Sequence, residues 1–308
     1  PRAVTATSAQ RSQDTHTFGD RYFLWIALLP AALVLVIVGV VPLLYAGWLS
    51  LHEYNLVRPP HLFIGLENYA ELLSDGRFQY SMAFTFGFAF AATLIEVVLG
   101  FLIAWLLADK QIPERLSSIS RTLMLIPYMV APVVMAYIFK TLIYDANFGY
   151  LSDALRTAGG GPFIMFEGTW KPILSLLFMD VILRMPFVVL ILYAGISTLS
   201  PEQLEAAEVD GASLRQRISS IVLPILRPII LIAFVFRFMD ALKIFDEIWV
   251  ITGGGPGRTT ESVSVFASKT AFVQFKMGYA TASSLIFAFV VVALTAIILR
   301  GTRFSVDR

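Results

Sequence analysis

Six long apolar stretches, at 22–49, 82–108, 119–144, 172–196, 225–251 and 280–299, constrain this chain more than any other feature. About 20 apolar residues in an α-helix cross the roughly 30 Å hydrocarbon core of a bilayer. Inside that core each segment must satisfy its own backbone N–H and C=O groups, so the expected fold class is an all-α membrane protein with six transmembrane helices. Charged residues make up 15% of the chain, against about 25% in a soluble domain. The expected organisation is a polar tail at 1–21, a membrane domain at 22–300 and a second tail at 301–308. The run from residue 22 is too long for the apolar core of a signal peptide and reads as a retained first span.

Prolines at 30, 42, 127, 132 and 186 fall inside these spans. A membrane bundle tolerates them where neighbours re-satisfy the freed carbonyls, and they predict kinks. The basic residues give an orientation. With the N-terminus inside, twelve Lys and Arg lie on the cytoplasmic side, including Arg115, Arg121, Arg215, Arg217 and Arg300, against seven outside. Both termini are therefore expected in the cytoplasm.

Several chemistries are excluded. The chain has no Cys, and its three His, at 16, 52 and 61, lie outside the spans. That rules out a thiolate site and a His-based metal site within the membrane. The glycine run Gly253-Gly254-Gly255 lacks the Lys-Ser/Thr of a phosphate-binding loop and reads as a tight turn. No HExxH or GxSxG is present. Net charge is +1, which gives no footing for nucleic acid. No catalytic, cofactor-binding or metal-ligating residue is expected.

Ionisable residues inside spans are costly and mark interior polar paths. Asp180 and Arg184 are four apart and are expected to pair on one face of the fourth span. Arg237, Asp240, Lys243 and Glu247 recur every three or four residues and are expected to form one stripe on the fifth. Glu96 reads as standing alone on the second. Asp180, Arg184, Arg237, Asp240 and Lys243 are candidate pathway residues for a hydroxylated solute; structural ion pairs between helices are the competing reading.

Between the fourth and fifth spans lies SPEQLEAAEVDGASLRQRISSIVLPILRP, residues 200–228. Ser200, Pro201 and Gln203 make one helix start, and Ser213 with Gln216 a second. Gly211 fits the left-handed position that closes a helix, and Pro224 and Pro228 limit how far the second helix runs undistorted. A helix–Gly–helix knob with small residues at its crown is expected. Within it, Glu205, Ala206, Ala207, Gly211, Ile221, Leu223 and Pro224 match without a gap the EAA loop (200–224 here) of permease subunits of binding-protein-dependent ABC importers. Gly65-Leu66-Glu67-Asn68-Tyr69, the segment 245–256 and Gly278-Tyr279-Ala280-Thr281-Ala282-Ser283 also resemble elements of the sugar-type, maltose/glycerol-phosphate branch of that family.

The resemblance implies a type I permease fold with a cytoplasmic coupling helix. It implies that Glu205, Ala206, Ala207, Asp210, Gly211, Ala212, Leu223 and Pro224 couple to an ATPase. The implied partners are a second related permease, two cytoplasmic ATPase subunits that hold ATP and Mg, and an extracytoplasmic solute-binding protein, with membrane lipid around the chain. The implied location is a bacterial inner membrane, and the implied cargo a carbohydrate or related polyhydroxylated solute. Two alternatives compete with this reading. A single-chain secondary transporter is disfavoured by the lack of a detectable internal repeat. A membrane enzyme lacks a nucleophile, acid pair or metal constellation.

Overall fold

A computed structural model describes residues 18–59, 61–109 and 111–306. Most of the 1–21 tail, Lys110 and the last two residues lie outside the described residues. The chain divides between Trp48 and Leu49 into two units. The first holds α1 (Phe18–Leu35), a wide π turn at Val36–Val40 and most of α2 (Val41–Ser50). Together they give a 26-residue span, Trp25–Ser50. Its side chains from Trp25 through Tyr45 are all exposed. A helix apolar on every side needs an apolar medium around its whole circumference.

The second unit begins with a short hairpin, β1 (His52–Glu53) against β2 (Leu62–Phe63), and α3 (Glu67–Ser74). Asn68 on α3 donates from Nδ2 to the carbonyls of Ser50 and His52 at 2.8 and 3.1 Å. This gives the Gly-Leu-Glu-Asn-Tyr element a local role: its amide satisfies backbone oxygens left at the end of α2.

Then come the packed helices: α4 (Gly76–Leu107), α5 (Glu114–Met129), α6 (Pro132–Ile138), α7 (Tyr150–Thr157), α8 (Trp170–Ile196), α9 (Pro201–Val209), α10 (Leu214–Arg217), α11 (Leu223–Ala241), α12 (Asp246–Ile251), α13 (Val263–Ser268) and α14 (Met277–Val306). α4, α8 and α11 pack on one another, with α5 against α8. Two glycines permit the closeness. A Cβ at Gly100 would come within 2.9 Å of Val188 Cγ1, and one at Gly195 within 2.8 Å of Ile229 Cδ1. Small residues at helix contacts are how membrane helices gain dispersion energy without a hydrophobic drive.

Among the described residues five helices are long and apolar enough to cross a membrane. α5 and the stretch Pro132–Ile143 pass the same test only as a pair, bent by 94°. The bend sits at the expected prolines. The α5 ladder ends two residues past Pro127, Val130 and Ala131 turn extended, and Pro132 opens α6. A proline disfavours the helical conformation of the residue before it.

The fifth span differs from the expectation of 225–251. It is a 28-residue rod from Leu214 to Ala241 that starts inside the knob, passes a π turn at Ile218–Val222 and stops ten residues early. Leu242–Phe245 then turn, and α12 starts separately. At that break Ser262 Oγ donates to the Ile244 carbonyl at 3.2 Å, and Asp246 and Glu247 occupy the first turn of α12. Lys243 and Glu247 thus do not extend a stripe on one helix.

At the end of the bundle away from α9, the glycine run leads into a tightly hydrogen-bonded loop, with Thr252 and Thr260 hydroxyls 2.7 Å apart. Glu261 pins that loop: its buried carboxylate accepts from Arg77 Nε and Nη2 at 2.8 and 2.7 Å, with Lys269 Nζ at 3.5 Å.

Candidate functional site: a knob and a buried ion network

The knob forms as a helix, a left-handed residue and a second helix. α9 opens at Pro201, whose fixed φ is already helical. Ser200 occupies the cap position, but its side chain makes no capping hydrogen bond, which corrects the expected Ser200–Gln203 start. Proline at the first position sets the entry by itself. Gly211 has φ +79°. Its N–H donates to the Glu208 carbonyl at 3.0 Å, and the Ala212 N–H to the Ala207 carbonyl at 2.9 Å. That pair of bonds is a Schellman closure, and it needs a residue at ease in the left-handed region.

Ser213 then caps α10 in a full capping box with Gln216. Arg217 Nη1 binds Glu208 Oε2 at 2.7 Å and ties the two helices together. Pro224 does not stop the second helix; it follows directly on the π turn Ile218–Val222, so the rod continues distorted into the span.

Leu204 packs against the buried cluster that includes Ile196, Val222 and Leu226 and anchors the knob to the bundle. The crown is open: Glu205, Ala206, Asp210 and Gly211 are exposed, while Ala207 and Ala212 are half-buried. Val209 is 88% exposed. Sequence reasoning passed over that residue, although an apolar side chain between Glu208 and Asp210 at a helix end is a readable oddity. Leu223 and Pro224 lie exposed at the base, where the rod enters the span.

Midway along the bundle the candidate pathway residues converge. Arg237 is 2% exposed and lies between Glu96 of α4 and Asp180 of α8, both buried. It contacts Asp180 through Nη2 and Glu96 through Nε and Nη2. Three helices are therefore joined at one guanidinium. Glu96 is not alone, and Asp180 pairs with Arg237 rather than with Arg184. The i, i+4 spacing is right for a pair, but a fully buried guanidinium draws both carboxylates to itself, because an unpaired charge there is far more costly than a half-exposed one.

Arg184 instead reaches Glu247 of α12 at 3.2 Å and Asp240 of α11 at 3.8 Å. Asp240 also lies 3.6 Å from Arg237. The network bridges the break between α11 and α12, which is why Glu247 belongs to it despite leaving the helix. Lys243, in the turn itself, is exposed beside it. Lys140 clamps the other end of α12, donating from Nζ to the Val250 carbonyl at 2.7 Å. Among the described residues no group of His, Cys, Asp and Glu is arranged to hold a metal ion.

Residues 96–305 match the family model described as binding-protein-dependent transport system inner membrane component. The chain is 32% identical to the trehalose/maltose transport system permease protein MalF of Thermococcus litoralis, over 92% of this chain and 94% of that one. It is 35% identical to the trehalose transport system permease protein SugA of Mycobacterium tuberculosis, over 92% and 89%. Among solved structures, a bacterial ABC transporter involved in the import of the acidic polysaccharide alginate contains a chain that superposes with a TM-score of 0.79, at 19% identity, over 92% of this chain and 96% of that one.

Proposed function

The chain belongs to the family of binding-protein-dependent transport system inner membrane components, and we propose that it is the permease subunit of an ATP-driven importer for a carbohydrate or related polyhydroxylated solute. The observation that carries the cargo is the likeness, over nine tenths of the chain, to permeases named for trehalose and maltose. Family membership sets the single-chain secondary transporter aside.

In this reading the solute arrives on an extracytoplasmic binding protein at the pinned end of the bundle. The knob faces the cytoplasm, a placement that the excess of basic residues on its side supports. It seats in one of two ATPase subunits, which hold ATP and Mg. The exposed crown supports that role: Glu205, Ala206, Asp210, Gly211 and Val209 present a small, self-capped surface that costs little to dock. Closure of the ATPases moves α9 and, through the continuous rod Leu214–Ala241, reaches Arg237 and Asp240. A second, related permease supplies the other half of the path.

The test substitutes Gly211 or Glu205 with Trp. Expected is loss of co-purification with the ATPase, or loss of solute-stimulated ATP hydrolysis in complexes that still assemble. If both persist at the level of the unsubstituted complex, the coupling role assigned to the knob is wrong.

A further inference from the structure

Two cavities meet at the ion network. The larger, about 540 Å³, is walled by Tyr128, Phe187 and Phe236. The smaller, about 100 Å³, lies under α12 beside Pro132 and Phe245. Both are half-open clefts, and Arg184, Arg237, Asp240 and Lys243 line both, so these side chains form the partition where the two adjoin.

The parts of that partition are held unequally. Arg237 is fixed by two buried carboxylates. Arg184 and Asp240 approach only to 3.8 Å, beyond hydrogen-bond reach, and the Asp240 side chain is 49% exposed. Each has a second partner, Glu247 for Arg184 at 3.2 Å and Arg237 for Asp240 at 3.6 Å. Opening the contact strands neither charge, and stranding a charge is what makes breaking a buried pair costly.

We propose that the Arg184–Asp240 contact is the gate between the chambers, and that the solute opens it by bridging it. One hydroxyl accepts from Arg184 Nη1 while its neighbour donates to Asp240 Oδ2. The ligand class is a neutral pyranose bearing a vicinal diol, its apolar ring face laid on the stacked rings of Tyr128 and Phe187, whose centroids lie 5.9 Å apart at 12°. An apolar solute offers neither hydrogen bond. A carboxylated sugar suits Arg184 but is set against the Asp240 carboxylate. This inference rests on the transport reading above and names the solute chemistry within it.

The experiment uses the complete complex in proteoliposomes with its binding protein. The probes are trehalose and other neutral disaccharides, each paired with a monodeoxy analogue lacking one hydroxyl of a vicinal pair. In Asp240→Asn and Arg184→Met complexes that still assemble, solute-independent ATP hydrolysis is expected to rise, because the gate is no longer held. Preference for the disaccharide over its deoxy analogue is expected to fall by about tenfold or more. The binding protein is the same throughout, so a changed preference belongs to the permease. Asp240→Asn keeps the side-chain shape, which guards against misfolding in the Arg184 variant. Unchanged preference and unchanged solute-independent hydrolysis in assembled Asp240→Asn would overturn the gate while leaving the transport reading intact. A wild-type complex that no hydroxylated probe stimulates overturns both.

Discussion

Arg237 is the side chain on which the bundle's interior depends most. Its removal as Arg237→Met leaves Glu96 and Asp180 facing each other without a counter-charge. The expected cost is about 3–5 kcal/mol, measured as a fall in the thermal unfolding midpoint of the detergent-purified protein. Arg237→Lys recovers only part of that loss, since an ammonium lacks the planar fork by which the guanidinium meets Glu96 and Asp180 in fixed directions. Lys243→Ala, by contrast, removes an exposed group with no ion pair among the described residues; stability is expected to hold while transport falls. A parallel case sits at the pinned end. Glu261→Gln gives up the charge-assisted pair with Arg77, worth about 1.5–3 kcal/mol per charged hydrogen bond, and faster amide exchange over residues 252–262 is the expected sign.

The separate elements differ in how much of their form comes from local chemistry. The knob is mostly local. Gly211→Ala forces a side chain into the left-handed region at about 1–2 kcal/mol, and Ser213→Ala removes a capping box at about 1 kcal/mol. Both are expected to raise protease cleavage within 201–217 without changing the yield of the folded bundle. Gly211, Ser213 and Gln216 were readable because their roles are set by neighbours three residues away. The break between α11 and α12 was not readable in that way. No glycine or proline interrupts 229–252, and the charges at 237, 240, 243 and 247 are spaced as they would be on one face of a continuous helix. The halt comes from contacts with distant residues, Ser262 and Arg184, although the Asp246-Glu247 pair was a helix-start signal hidden in an apolar run.

Across the whole molecule, the number and rough position of the spans followed from hydropathy alone, because a bilayer leaves so few ways to satisfy a backbone. The ion network did not. Glu96 and Arg237 are 141 residues apart, and no periodicity links them, so reading each helix by itself paired Asp180 with the wrong arginine. The burial of that network has a global consequence. Exposed pairs such as Arg121–Glu114 and Lys171–Glu167 contribute little and are screened by salt, whereas the pairs of Arg237 with Glu96 and Asp180, buried on both sides, lie beyond the reach of added ions. Raising ionic strength from about 0.1 to about 1 M, where the screening length shrinks from about 10 to about 3 Å, is expected to leave the unfolding midpoint almost unmoved. A large drop would mean that the interior charges are wetted.

The sharp elbow between α5 and α6 carries an implication for the surroundings of the chain. Met129 is 80% exposed, and Ala131 beside it lies open, where the helical ladder is interrupted and carbonyl oxygens lose their usual donors. Acyl chains have no hydrogen to offer such oxygens. Whatever rests against that corner in a living membrane must therefore be wet or proteinaceous, and oil is the one neighbour it cannot keep.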